Sequence, residues 1–203
     1  MKQKEILVFG ASGQIGRNLI RKLTKNNFKV TAAVRNSHQK AYNLKTQGNP
    51  GYLDIVEINI YDIGAINSLV KKSDICINLI GILFEDKKNT FTNIHTTFPQ
   101  LLAKICDQNN LDQFIHISAL GIENATNSKY AKSKLNGETN VRNNFKNSVI
   151  LKPSIVYSVD DNFTTNFMTL LSRLPIMPLF YNGETKFAPI HVSDLNEIIF
   201  QTI

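Results

Sequence analysis

A buried strand that breaks into a glycine loop and restarts as a helix constrains this chain more than any other feature. Ile6-Leu-Val-Phe9 is a continuous apolar run, as expected of a strand covered on both faces. Gly10-Ala-Ser12-Gly13-Gln14-Ile15-Gly16 follows at once, and then Ile15, Leu19, Ile20 and Leu23 fall on one helical stripe. In that setting each glycine has its own use. Gly10 permits the tight turn, Gly13 lets the backbone approach an anion, and Gly16 lets the helix pack close to the strand. Helix N-termini also carry free, oriented N–H groups. Gly10, Ser12, Gly13, Gln14, Ile15 and Gly16 are therefore assigned to the pyrophosphate of a bound dinucleotide.

The rest of the chain repeats the alternation. Strands are expected at Phe28–Val34, Asp54–Ile60, Ile75–Ile80, Phe114–Ser118 and Ser148–Leu151. Helices are expected at Ile63–Lys71, Phe98–Gln108 and from Tyr130 to about Asn143, with Ser37–Tyr52 polar and at best helical. Strands alternating with helices of this length predict a parallel α/β sheet with right-handed crossovers, a doubly wound Rossmann sheet over residues 1–152. Beyond Lys152, prolines at 153, 175, 178 and 189 break the pattern into short pieces, so residues 153–203 are expected to form a small substrate-side lobe. Ser193-Asp194 is expected to cap a last helix. The chain stops at Ile203 inside an apolar helical pattern, and the reading is that this lobe is truncated.

Composition closes off several functions. The net charge of +7 is spread without a run of five Lys or Arg, and no nucleic-acid reading motif is present, so nucleic-acid binding is set aside. No apolar stretch has the roughly 18 residues of a membrane span. Met1-Lys-Gln-Lys-Glu leads directly into a strand, which argues against a signal peptide. Cys76 and Cys106 lie in apolar runs and read as reduced core residues. His, Cys and Asp show no zinc spacing, so no catalytic metal is expected.

Chemistry is concentrated on the later strands. Ser118 ends the fifth strand, at the edge where open α/β sheets bind ligands. Tyr130 and Lys134 are four apart and share a helix face, where an ammonium is expected to lower the phenol's pKa. Ser118, Tyr130 and Lys134 thus form a candidate catalytic set in which the phenol passes a proton while hydride moves to or from a nicotinamide. Arg35 ends the second strand, where a carboxylate would favour NAD(H), and its guanidinium suits a 2′-phosphate. NADP(H) is therefore preferred, with NAD(H) as the alternative. Asp62, just before Ile63, either touches the adenine or caps the helix there, and Gly81 follows the fourth strand beside the ribose and nicotinamide. His116 alternates with Ser118 on a buried strand and reads as a core histidine, whereas His191 is a weaker candidate for the cleft.

The glycine loop, Asn78-Leu-Ile-Gly81, Ser118, Tyr130/Lys134 and Lys152-Pro-Ser-Ile-Val-Tyr157 together resemble the short-chain dehydrogenase/reductase superfamily in its extended or atypical branch. Lys129–Glu138, Ile150–Ser154, Leu174-Pro-Ile-Met-Pro-Leu179 and Pro189–Asp194 are similar to the NAD(P)H-binding accessory subunits of respiratory complex I and their bacterial relatives. The superfamily resemblance implies oxidoreduction, epimerisation or dehydration at Ser118, Tyr130 and Lys134, on a small carbonyl or nucleotide-sugar substrate. It also implies cofactor contacts at Lys134 and Pro153. The subunit resemblance implies a nicotinamide nucleotide held for structure or regulation, with complex I or another protein as partner. By the same resemblance the chain belongs in a bacterial cytoplasm or the mitochondrial matrix, peripheral to the inner membrane through that partner.

Overall fold

A computed structural model describes residues 3–173, 182, 184 and 186–203, without side chains at residues 38–41 and 162. The segment 174–179 that entered the resemblance lies outside these residues, so the structure says nothing about it. Eight strands and seven α-helices are described: β1 (Glu5–Phe9), α1 (Gln14–Lys25), β2 (Lys29–Val34), α2 (Ser37–Lys45), β3 (Leu53–Glu57), α3 (Ile63–Val70), β4 (Ile75–Asn78), α4 (Phe98–Gln108), β5 (Gln113–Ile117), α5 (Lys129–Asn144), β6 (Ser148–Leu151), β7 (Val156–Tyr157), α6 (Asn162–Arg173), β8 (Ile190–His191) and α7 (Val192–Gln201).

The first six strands form one parallel sheet in the order β3-β2-β1-β4-β5-β6. The order reverses between β1 and β4, and the loops that follow these two strands line a crevice at their carboxyl ends. This is the doubly wound Rossmann architecture expected from the alternation.

The central strands β1, β4 and β5 are buried on both faces, which is why β1 and β4 read as nearly unbroken apolar runs. Leu7, Phe9, Cys76 and Phe114 pack against α3 and α4 on one face. Ile6, Val8, Ile75, Ile77 and Ile115 pack against Leu19, Ile20 and Leu23 of α1 on the other. Leu195 and Ile199 of α7 belong to this second cluster. The last helix is therefore part of the main core: Lys22 pairs with Glu197, and the Lys22 ammonium sits 5.0 Å over the Phe200 ring.

Two details correct the reading of the later chain. The cap of α7 is the His191 side chain, whose Nδ1 accepts the Ser193 N–H at 3.3 Å, in place of Ser193-Asp194. The irregular stretch after Pro153 contains a two-stranded parallel sheet in which Val156 and Tyr157 pair with Ile190 and His191. Strands of two residues carry no periodicity and leave no trace in a sequence pattern.

Just ahead of α4, Thr92–Thr97 winds as a π-helix. Its wider turn brings the His95 carbonyl against α5, where a Cβ on Gly137 would lie 1.9 Å from that oxygen. π-turns of this kind recur at functional sites.

Candidate active site

The glycine loop forms a cradle that admits no Cβ at two of its positions, Gly10 and Gly16. Gly10 has φ +76°, and a Cβ there would stand 2.9 Å from the Leu79 carbonyl carbon. A Cβ on Gly16 would stand 2.6 Å from the carbonyl oxygens of both Gly10 and Ala11. Gly13 closes the turn by donating its N–H to the Gly10 carbonyl at 3.0 Å, and it precedes the first residue of α1. Backbone amides and a helix N-terminus therefore face the crevice between β1 and β4.

Two connected spaces run along the crevice. A cavity of about 180 Å³ extends from Gly10, Ser12 and Gly13 to Arg35, between Ile58, Ile60 and Ile82. A second, of about 310 Å³, runs from Gly13, Gln14, Ile15 and Gly16 past Gly81 to Tyr130. Their lining brings together Gly10, Ser12, Gly13, Gln14, Ile15, Gly16, Arg35, Gly81 and Tyr130 of the expected residues. Asp62 and Ile63 stay outside it. The Asp62 carboxylate accepts the Ala65 N–H at 2.9 Å as the cap of α3, and Ile63 is exposed. Of the two roles open to Asp62, the helix cap is the one the side chain makes here. The wall at that place comes from Ile58 and Ile60, two apolar positions beyond the end of β3.

Lys134 and Ser118 are buried and line neither of these spaces. The Lys134 ammonium is buried, donates to the Ile117 carbonyl at 3.2 Å, and lies 3.5 Å from where a Gly81 Cβ would be. Burial lowers its pKa to about 8, against a smaller opposing pull from Glu138. The Ser118 hydroxyl is buried with no hydrogen-bond partner among the described residues. An orphaned hydroxyl at a sheet's carboxyl edge is the kind of group a ligand completes.

Tyr130 departs from expectation. Its pKa is raised above 10.0 by burial, whereas the sequence spacing predicted a phenol acidified by Lys134. The ring is enclosed edge-on by Phe91 at 5.7 Å and His95 at 5.2 Å, so loss of solvent opposes the phenolate. The phenol is therefore a proton donor at neutral pH.

His95 has a place that sequence reasoning missed. Its Nε2 accepts the Ile82 N–H at 3.1 Å, which puts the ring proton on Nδ1, 3.0 Å from the Ser133 hydroxyl. Ser133 donates in turn to the Tyr130 carbonyl at 2.7 Å. One neutral imidazole thus ties the loop after β4 to the helix carrying Tyr130 and Lys134. Burial first, and the Lys134 charge second, hold its pKa at about 3. The signal was available, because Phe91, Ile94, His95 and Phe98 lie on one helical stripe.

His116 is the core histidine expected from the strand. The Asn78 carboxamide oxygen accepts the Ile80 N–H at 3.1 Å, so its amide nitrogen donates to His116 Nδ1 at 3.2 Å. His191 lies away from Tyr130, in a surface hollow with Arg17, Arg21 and Asp160. Pro153 borders a larger cleft on the outer side of Tyr130, together with Gln14, Leu120, Ile155 and Phe163. Among the described residues no group of His, Cys, Asp and Glu is placed to hold a metal ion. No described helix is long and apolar enough to cross a membrane.

Known proteins resemble this chain in sequence and in fold. The chain is 28% identical over 190 residues to subunit 9 of the NADH dehydrogenase [ubiquinone] 1 alpha subcomplex, mitochondrial, of Mus musculus, covering 94% of this chain and 50% of that protein. It is 26% identical over 197 residues to the mitochondrial NADH-ubiquinone oxidoreductase 40 kDa subunit of Neurospora crassa, covering 97% and 51%. It is 26% identical over 193 residues to a ceramide reductase of Caulobacter vibrioides, covering 93% and 57%. The chain thus spans about half the length of the first of these relatives. Among solved structures, a dTDP-glucose 4,6-dehydratase of Streptomyces venezuelae with NAD bound superposes with a TM-score of 0.79 at 18% identity, covering 96% of this chain and 70% of that one. The UDP-glucuronic acid 4-epimerase of Bacillus cereus, with NAD, gives 0.76 at 22%, covering 95% and 70%. The family profile matches residues 2–186, and the chain belongs to the NmrA-like family.

Proposed function

We propose that this protein binds a nicotinamide dinucleotide, NADP(H) in preference to NAD(H), and holds it mainly for structure or regulation. The glycine cradle carries the reading: Gly10 and Gly16 are positions where a Cβ would collide with backbone, and they open on a cleft running from Arg35 to Tyr130. Gly10, Ser12, Gly13, Gln14, Ile15 and Gly16 would hold the pyrophosphate, and Gly81, Lys134 and Pro153 the nicotinamide half. Arg35 favours a 2′-phosphate, since the nearest strand-end carboxylate, Glu57, accepts the Ser37 N–H and hydroxyl at 2.8 and 2.7 Å. The named relatives of the mitochondrial NADH dehydrogenase complex support a role as an accessory subunit of such an assembly. That role puts the chain in the mitochondrial matrix or a bacterial cytoplasm, held near the inner membrane by its partner. A ligand bound only by the folded state raises stability by mass action. NADPH should therefore raise the melting temperature, and more than NADH does; no shift with either sinks the reading.

A second reading is supported by the protonated Tyr130 on the crevice lining and by the unpartnered Ser118 hydroxyl just past the end of β5. When bound, the dinucleotide supplies or accepts a hydride. Ser118 would orient a carbonyl oxygen, Tyr130 would deliver its phenolic proton to that oxygen, and Lys134 would stabilise the phenolate left behind. The protein is then a reductase, epimerase or dehydratase. Under this reading Tyr130→Phe abolishes turnover and keeps the NADPH melting shift. Turnover that survives the substitution removes Tyr130 from the chemistry.

A further inference from the structure

Outside Tyr130 the crevice widens into a cleft of about 770 Å³, bordered by Leu83, Leu120, Ile155, Val156, Phe163 and Phe187. A recess of about 360 Å³ continues it between Ile155, Tyr157, Phe163, Phe187 and Pro189, and it is lined wholly by apolar surface apart from Thr164 and the phenol of Tyr157. Two aromatic rings of the wall meet, Phe163 lying 6.2 Å from Phe187. Several of these groups remain substantially exposed, among them Leu83, Leu120 and Phe187. A monomeric surface seldom leaves so much contiguous apolar area open without a use.

Charge decides what the cleft can take. A nucleotide-sugar substrate brings a diphosphate, which calls for Arg or Lys forks. Between Ser154 and Pro189 the only basic residues in the sequence are Arg173 and Lys186. Of these, Lys186 borders the cleft. Among the described residues that line the cleft the one acid, Asp161, is committed to its own chain: it accepts from the Ser158 and Thr164 N–H groups and from the Thr164 hydroxyl. The same bonds hold its carboxyl down at about 2. A single lysine amid aromatic and aliphatic walls does not provide for a diphosphate. It does suit a long hydrocarbon chain whose polar end lies at Tyr130.

We propose that this cleft receives an apolar-chain compound, a long-chain carbonyl or the corresponding alcohol, with its oxygen at Tyr130 and its chain along Phe163 and Phe187. The proposal rests on the dinucleotide-binding reading for the orientation of the polar end, and it goes further by assigning the substrate-side ligand to lipid-like molecules over nucleotide sugars. It holds whether the ligand is turned over or only bound.

The test is calorimetric titration of the full chain, saturated with NADP⁺, with hexanol, octanol and decanol, and separately with UDP-glucose. Each added methylene buried in the recess strengthens binding, so affinity should rise at least about tenfold from hexanol to decanol. UDP-glucose should not bind. Phe187→Asp lies on the cleft wall away from the glycine cradle, so it should flatten the chain-length dependence and leave the NADP⁺ melting shift in place. Retention of that shift also certifies that the variant is folded. Tight UDP-glucose binding, or alcohol affinities indifferent to chain length, overturns the proposal. Failure of the dinucleotide reading shows separately, as absence of the NADP⁺ shift while the alcohol series still binds.

Discussion

The imidazole of His95 stands edge-on to the phenol of Tyr130, ring centroids 5.2 Å apart, while its Nε2 accepts the Ile82 N–H. The π-helical turn that carries His95 therefore sets the distance between the loop lining the crevice and the helix bearing Tyr130 and Lys134. The ring works in its neutral form. A second proton would have to go on Nε2, where the Ile82 N–H already points.

This gives a pH dependence with a definite sign. The folded pKa of His95 is about 3 against an ordinary 6.5, so between these values the unfolded chain binds a proton that the folded chain refuses. Stability should fall as pH drops through that window. His116, also held at about 3 chiefly by burial, adds to the same slope. His95→Gln keeps one acceptor and one donor without titrating. Denaturant unfolding at pH 7 and pH 5 should show a smaller loss for the variant than for the parent, and equal losses would exclude His95 from the effect.

Lys134 predicts the opposite end of the scale. Its folded pKa is about 8 against an ordinary 10.5, so between pH 8 and 10.5 the unfolded chain again holds the extra proton. Stability contributed through Lys134 should rise across that window, by on the order of 2 kcal/mol after allowing for relaxation of the buried site. Lys134→Met removes the slope, measurable as the difference between parent and variant in unfolding free energy at pH 8 and pH 10. A slope unchanged by the substitution would mean that the ammonium is solvated.

Gly16→Ala places a methyl 2.6 Å from two carbonyl oxygens of the loop. The turn must open to admit it, at a cost of about 1–3 kcal/mol. Dinucleotide binding should weaken more than stability does, because the amides that point into the crevice move with the turn. Thermal melts with and without NADPH separate the two effects.

Arg35→Ala should lower NADPH affinity by about tenfold or more, since a charge-assisted hydrogen bond contributes about 1.5–3 kcal/mol. NADH affinity should change little. Titration of both nucleotides against parent and variant checks this, and a parallel loss for both would make Arg35 a general electrostatic contact.

Much of the frame was legible beforehand. The central strands of the parallel sheet are covered on both faces, and that makes Ile75–Asn78 conspicuous as an apolar run; Ser148–Leu151, half-buried at the sheet edge, has the bounds expected of it. The helix at Phe98–Gln108 has the bounds its periodicity predicts. What escaped depends on contacts between elements distant in sequence. The Tyr130–Lys134 spacing fixes a shared helix face, but the sign of the phenol's shift is set by Phe91 and His95, which reach it from the π-turn. Ile58 and Ile60 lie past the end of their strand, and their role on the crevice wall follows from the sheet order. β7 and β8 exist because residues more than thirty apart meet, which no local pattern encodes.

Gln14 opens α1 at the cradle, and its side-chain amide donates to the Ser158 hydroxyl at 2.9 Å and the Val156 carbonyl at 3.3 Å. One turn on, Arg17 pairs with Asp160 at 2.7 Å. The helix whose amino end faces the dinucleotide crevice is thus also the mooring of the segment that leads into the apolar cleft. Filling one compartment should be felt in the other as a change in protease susceptibility near residues 158–161, a conversation carried by a single short rod and two side chains.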